Sequence, residues 1–269
     1  AKTRNRGIRL AEGKYVMFLD ADDWVEPHML EILYDLAEAD EANVACCLLR
    51  EETTQETESS QEEEKKNIDF NKYRIIHGKN KTESGLALLA VWGPVCKLYR
   101  RDLIKDICFE EYKVAEDLLF NIPVFYKANT IAYIAKPMCH YQKENSRSLT
   151  HKYPPDLPER YAELQRRMQR FIDRKGLPQE YSEALENRCS LSIINFGLRL
   201  VEDNGKSQKS CMAELRRIRE SKHYGAPLGK MPLCEFPIHW KFFFFCAKEK
   251  LYLPWLLLLR VMNHLRSRA

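Results

Sequence analysis

Tyr15-Val16-Met17-Phe18-Leu19-Asp20-Ala21-Asp22-Asp23-Trp24 is a short apolar run that breaks into three carboxylates within four residues. Such a run, partly β-branched and aromatic, reads as a buried strand. In open α/β sheets the C-terminal ends of strands are where ligands bind. Three carboxylates crowded there repel one another unless something cationic sits between them. Oxygen donors suit a hard divalent ion such as Mg²⁺ or Mn²⁺, which could bridge to a substrate phosphate. The same residues also suit a polar turn, with Asp22 or Asp23 capping a helix that starts near Pro27.

The flanking residues sharpen that choice. Upstream, RNRGIRLAEGKY over residues 4–15 reads as a short helix closed by Gly13. Downstream, Met29, Leu30, Ile32, Leu33 and Leu36 recur at helical spacing, with Pro27 placed for the first turn. Residues 91–104 read VWGPVCKLYRRDLI, and after Phe109 comes Ala115-Glu116-Asp117-Leu118-Leu119-Phe120. Residues 140–150 read HYQKENSRSLT.

The string RNRGIRLAEGKYVMFLDADDWVEPHML closely resembles the central motif of family 2 glycosyltransferases of the GT-A fold. There a helix ending in A-x-G-x-Y is followed by a strand and then D-x-D-D. The 91–104 block resembles the family's W-x-K-L-Y-R-R segment. Glu116-Asp117 resembles the acidic pair that supplies the catalytic base in inverting members, and residues 140–150 resemble the aromatic-x-x-x-N-x-x-S-x-T ending. The resemblance covers residues 1 to about 150.

What the resemblance implies is a partial GT-A, Rossmann-like mixed sheet with helices over residues 1–152. An all-α region over 153–269 is expected to follow it. Family members begin with a V-S-V-I-I-P-x-Y-N type of strand and about two more strand–helix units ahead of the D-x-D. This chain opens just before the motif, so the expectation is a piece of a longer protein, with donor binding and activity of the piece alone in question. Without those strands one side of the sheet would carry an edge that natural proteins usually cover.

The implied enzyme is a metal-dependent inverting glycosyltransferase. It would move a sugar from a nucleotide donor, a UDP-sugar, to a glycan or lipid-linked acceptor in cell-surface polysaccharide synthesis. Mn²⁺ or Mg²⁺ held by Asp22 and Asp23, with Asp20 in close support, would offset the charge developing on the leaving diphosphate. Asp117 is the expected base, with Glu116 as its neighbour. Lys97, Arg100, Arg101 and His140 could approach the diphosphate, and Arg4 and Asn5 could face the nucleotide. Plainer roles compete: a helix first turn for Glu116-Asp117, solvated surface for the basic residues, a structural ring for His140. Two other classes stay open, a non-catalytic GT-A remnant acting as a glycan-binding or scaffold module, and a nucleotidyltransferase. Retention of Asp20, Asp22, Asp23 and Asp117 argues against the first, and the 92–101 and 116–117 blocks against the second.

Composition sets outer limits. The chain has 269 residues, 45% hydrophobic and 30% charged, ordinary for a soluble globular protein of one or two domains. A net charge of +4 is too mild to point to nucleic acid. The 9 cysteines are odd in number and lack C-x-x-C spacing, so no disulfide framework or zinc site is indicated. Cys46 and Cys47, in a strand expected over residues 43–49, read as small buried apolar residues. A reducing cytoplasm fits.

Residues 51–67 are almost devoid of apolar side chains and read as a mobile acidic surface loop. A late strand is expected over 130–134. The breaker cluster Tyr153-Pro154-Pro155-Asp156-Leu157-Pro158 marks a domain boundary, with helices expected over 159–175, 182–201 and 209–221. The tail, 236–262, holds Trp240, Phe242 to Phe245, Trp255 and Leu256 to Leu259 among lysines and arginines. Neither apolar run approaches the ~20 residues that span a bilayer. Packing on protein and peripheral contact with the inner face of the cell membrane are both compatible with it.

Overall fold

A computed structural model describes residues 1–52, 73–77, 93–112, 116–142, 153–203, 205–231, 233 and 236–266. The 51–67 loop from residue 53 on, Trp92, Ala115 and residues 143–150 of the third motif lie outside the described residues. The chain divides into two compact units, Ala1–Asn145 and Ser146–Ala269.

The first unit is a mixed α/β layer structure. Helix α1 (Lys2–Leu10) leads into β1 (Tyr15–Met17) and β2 (Trp24–Val25), then α2 (Met29–Ala39) and β3 (Val44–Glu52). After β4 (Tyr73–His77) come β5 (Lys97–Arg100), the short α3 (Arg101–Ile104), α4 (Glu116–Lys127) and β6 (Thr130–Gln142). The sheet order is β1-β5-β3-β6-β2, with β4 also on β6. β3 and β6 run parallel, and the other pairs are antiparallel. β1 is antiparallel to β5 and β5 to β3, so β1 points the same way as β3 and β6.

Period-two alternation puts both faces of the sheet to use. Ala45 and Cys47 face a core built with Met29, Ile32, Leu33 and Leu36 of α2. Val44 and Cys46 face the opposite core, with Ile8 of α1 and Phe120, Val124 and Phe125 of α4. The adjacent cysteines are thus buried on opposite faces, and burial pushes the Cys46 thiol up to about 12. All eight described cysteines are free thiols.

Local differences from the sequence reading have physical causes. The opening strand stops at Met17, because the chain must leave β1 and cross to β2 at the other end of the strand order. Tyr15, Val16 and Met17 are only half-buried, as suits a strand paired on one side among the described residues. α1 ends at Leu10 with Ala11 extended, so Gly13 is not its cap. α2 begins two residues past Pro27 with His28 at its N-cap position and no side-chain cap; Asp22 and Asp23 lie too far upstream to cap it. β3 and β6 outrun the expected 43–49 and 130–134, since their backbones pair with each other as far as Glu52 and Gln142.

The second unit is all-α. It comprises α5 (Leu157–Lys175), α6 (Gln179–Glu202), α7 (Gln208–Glu220), α8 (Lys222–Lys230), α9 (Ile238–Lys248) and α10 (Tyr252–Arg266). α5 closes on Gly176 at φ +57, a left-handed turn that glycine adopts without steric cost. α8 was not foreseen, since Gly225, Pro227 and Gly229 read as breakers; Ser221 caps it by accepting from the Tyr224 amide. Among the described residues no helix is long and apolar enough to cross a membrane.

Candidate active site

The Asp20–Asp23 turn lies beyond the C-terminal end of β1, and the Asp23 amide donates to the Asp20 carbonyl at 3.1 Å. Parallel orientation of β1, β3 and β6 makes this the carboxyl end of those strands, where α/β sheets bind ligands.

Three distant segments meet at Arg4. Its Nη2 donates to Asp20 Oδ1 at 2.6 Å, and its Nη1 to Glu116 Oε1 at 3.5 Å. One guanidinium therefore ties the first carboxylate of the acidic turn to the first acid of the Glu-Asp pair. The neighbouring residue explains how α1 is held there. Asn5 Nδ2 donates to the Phe109 carbonyl, and the Phe109 amide donates back to Asn5 Oδ1, both at 2.8 Å. Asn5 clamps the segment leading to α4 rather than presenting its amide to solvent. Arg4 in turn lies over the Phe109 ring, 5.4 Å from its centroid.

Beneath these polar groups is an aromatic floor. Phe109 stacks on Phe120 at 3.9 Å, and Phe18 meets Phe109, Phe120 and Tyr99 edge-on at 5.3–5.8 Å. The floor joins the end of β1, β5 and α4 into one rigid base. Buried Tyr99 donates to Asn121 Oδ1 at 2.9 Å, and burial holds its hydroxyl well above the usual phenol range.

Glu116 and Asp117 open α4, where backbone amides favour acids. Asp117 Oδ1 accepts from the Leu118 amide at 3.0 Å. Burial, and after it the Glu116 carboxylate, push the Asp117 carboxyl above its ordinary 3.8. Gly93 abuts it so closely that a Cβ there would stand 2.9 Å from Asp117 Oδ2. The glycine of the VWGP sequence thus makes room for the acid, a role that spacing could not reveal.

Lys97 and His140 sit deeper than a surface contact to diphosphate requires. Lys97 is 1% exposed, with Nζ donating to the Gly93 carbonyl at 2.6 Å and to Val95 at 3.3 Å; burial lowers its pKa. It braces the turn that carries Gly93. Arg101 donates to the Ala11 carbonyl at 2.9 Å, tying α3 to the end of α1. His140 is buried with its ring stacked on Trp24 at 3.5 Å and 2°, and its Nε2 lies 2.9 Å from Glu26 Oε1. β2–β6 pairing sets Trp24 opposite His140, so the stack follows from register. Trp24 and Glu26, which sequence reading left without a role, place the residues that follow the acidic turn.

Asp22 is exposed and Asp23 half-buried. Asp20, the first carboxylate of the turn, is held by Arg4. Among the described residues no three or more His, Cys, Asp or Glu side chains form a ready metal cage. Two carboxylates suit an ion that takes its remaining ligands from water and substrate phosphates, the usual manner of Mg²⁺.

Residues 1–108 match the family model Glycosyl transferase family 2. The match takes in the acidic turn and the 91–104 block and stops short of Glu116-Asp117. The chain is 30% identical over 145 residues to the cholesterol galactosyltransferase of Borreliella burgdorferi, covering 49% of this chain and 38% of that protein. It is 25% identical over 218 residues to the poly(ribitol-phosphate) β-N-acetylglucosaminyltransferase TarS of Staphylococcus aureus, covering 79% and 35%. The chain thus spans well under two thirds of these relatives. The crystal structure of TarS 1–349 with UDP-GlcNAc is similar over 98% of this chain and 71% of that one, with a TM-score of 0.56 and 18% identity. At that identity the likeness speaks for the fold, a mixed α/β layer followed by helices.

Proposed function

We propose that the protein is an inverting glycosyltransferase that takes a sugar from a nucleotide donor, a UDP-sugar, in the synthesis of a cell-surface polysaccharide. The observation that carries this reading is Arg4, which joins the acidic turn, inside the stretch similar to glycosyl transferase family 2, to the Glu-Asp pair that follows it. TarS, similar in fold, has been crystallised with UDP and with UDP-GlcNAc, which supports UDP as the nucleotide.

Asp22 and Asp23 fit Mn²⁺ or Mg²⁺ and would hold it against the donor diphosphate. When bound, the ion supplies Lewis-acid stabilisation of the departing nucleoside diphosphate. Asp117 takes the proton from the acceptor hydroxyl as its oxygen bonds to the anomeric carbon and the bond to the diphosphate breaks. A carboxylate with a raised pKa is a stronger base, and the Glu116 neighbour contributes to that. Arg4 holds Asp20 and Glu116 at a fixed separation, so the two halves of the site are positioned before substrate arrives. The acceptor is a glycan or a lipid-linked sugar.

Calorimetric titration of UDP into the intact protein, with and without Mn²⁺, tests the donor and metal. The expected result is binding that requires Mn²⁺ and weakens by about tenfold or more in Asp22→Ala with Asp23→Ala, since each ligand lost costs a charged contact. Binding indifferent to Mn²⁺ and to both substitutions would remove the metal site. No binding of UDP by the folded protein would leave another nucleotide, or a glycan-binding scaffold, as the better account. The anomeric configuration of the product, read by NMR, decides inversion.

A further inference from the structure

We propose that the exposed apolar rows of α9 and α10, with the basic side chains beside them, dock this protein on the surface of an anionic lipid bilayer. Sequence alone leaves the aromatic and leucine runs of the tail undivided; the structure divides them. Phe243, Phe244, Cys246 and Ala247 of α9, and Trp255, Leu256 and Leu259 of α10, are buried. What stays outside is ordered. Leu253, Leu257, Val261 and Leu265 recur every four residues along α10 and are 44%, 50%, 56% and 62% exposed. Ile238, Phe242 and Phe245 form a second row on α9, at the i, i+4, i+7 spacing of one helix face.

The concentration is local. Of the 15 exposed large hydrophobics among the described residues, eight lie in residues 238–265. Scattered single apolar residues need no explanation, but contiguous rows on adjacent helices do. Among the described residues no helix is long and apolar enough to cross a bilayer, and a helix with one apolar face and a basic flank suits the interface instead.

Charge selects the partner. Residues 237–269 carry six Lys or Arg (positions 241, 248, 250, 260, 266 and 268) and one acid, Glu249. The whole chain has 43 basic and 39 acidic residues, so all the rest of it carries 37 against 38. The net positive charge of the chain therefore resides entirely in this tail. Lys250 and Arg260 are exposed, and Lys241 and Lys248 are half-exposed. Protein interface cores are depleted in lysine, whereas a basic, aromatic-rich helix beside an apolar row suits anionic headgroups over acyl chains.

Sedimentation of the intact protein with vesicles tests it. Phosphatidylcholine vesicles with about one third phosphatidylserine are compared with pure phosphatidylcholine, at low and high salt. The expected result is salt-sensitive binding to the anionic vesicles and little to the neutral ones. Lys250→Glu with Arg260→Glu should lower the affinity by about fivefold or more for each residue reversed. Leu257→Gln with Val261→Gln should lower it by about tenfold or more at unchanged charge, since the apolar row is what enters the interface. Leu191→Gln, an exposed leucine of α6, should change nothing, and circular dichroism confirms that each variant is folded. No binding to anionic vesicles, or full binding by the Leu257→Gln, Val261→Gln protein, would overturn the proposal. So would a dimer, seen by sedimentation equilibrium, that this pair dissolves while vesicle binding is absent; the rows would then face a second copy.

Discussion

Asp117 sits where stability and chemistry pull apart. Its raised pKa means that the unfolded chain gives up this proton more readily than the folded one. Stability is therefore lost as pH rises from below the ordinary 3.8 through the raised native value, and the full cost is present above it. Asp117→Asn removes that cost while keeping an oxygen for the Leu118 amide. The expected outcome is a variant that melts higher than wild type at pH 7, with the gain vanishing as pH falls below 3.8. Transfer should fall by about 10²–10⁴ while UDP binding persists, if the acid is the base. Thermal melts across pH, beside product assays, separate the two effects. A variant that melts lower at pH 7 would mean the carboxylate is held by partners that outweigh its burial.

Asn5 makes a contrasting residue-scale case. Its two bonds to the Phe109 backbone are structural, so Asn5→Ala should destabilise the protein by about 1–3 kcal/mol in urea. It should also weaken donor binding through the displacement of Arg4, its neighbour on α1. Unchanged stability with weakened UDP binding would return Asn5 to the role of a direct nucleotide contact.

At the scale of elements, the approach of α6 to α10 depends on one missing side chain. A Cβ on Gly197 would stand 2.5 Å from Leu259 Cδ2 and 2.7 Å from Cδ1, and Leu259 is fully buried. Gly197→Ala should cost about 1–3 kcal/mol through overpacking. Leu259→Ala alone should cost about 2–5 kcal/mol by leaving a cavity. Together they should cost less than the sum, by about 0.5–3 kcal/mol, because the methyl added at 197 fills part of the space vacated at 259. Denaturant curves for all four proteins give the coupling. Strict additivity would show that the two helices adjust independently.

At the scale of the molecule, each unit has its own interior. In the second, Tyr153 donates to Glu214 at 2.7 Å and Tyr224 to the Pro158 carbonyl at 2.6 Å, tying the start of α5 to α7 and α8. A segment of residues 153–269 should therefore fold alone, with a helical dichroism spectrum and a cooperative melt. UDP and Mn²⁺ should leave that melt unmoved. They should stabilise the intact protein by about 2.7 kcal/mol at a hundredfold excess over Kd, since ligand binds only the folded site. A non-cooperative melt of the segment would show that it depends on the first unit.

The acidic turn and the helical second unit were legible in order along the chain, because carboxylate clusters and helical spacing are local signals; the Glu-Asp pair stood out only through its resemblance to the family's acidic pair. The strand carrying Cys46 and Cys47, whose alternation needs only neighbours, was legible too. What a linear reading could not supply was which side chains meet. Arg4 reaches Asp20 and Glu116 from a helix that Asn5 ties to Phe109, a contact 104 residues apart in sequence. Lys97 read as a diphosphate contact or as solvated surface, and His140 as a diphosphate contact or a structural ring; packing buries both, with Lys97 on the Gly93 turn and His140 stacked on Trp24. The tail shows the same division. Residue type alone determined that it is apolar and basic. Only tertiary packing decided which of its apolar side chains the core consumed and which it left in the open, because burial depends on neighbours that the local sequence does not contain.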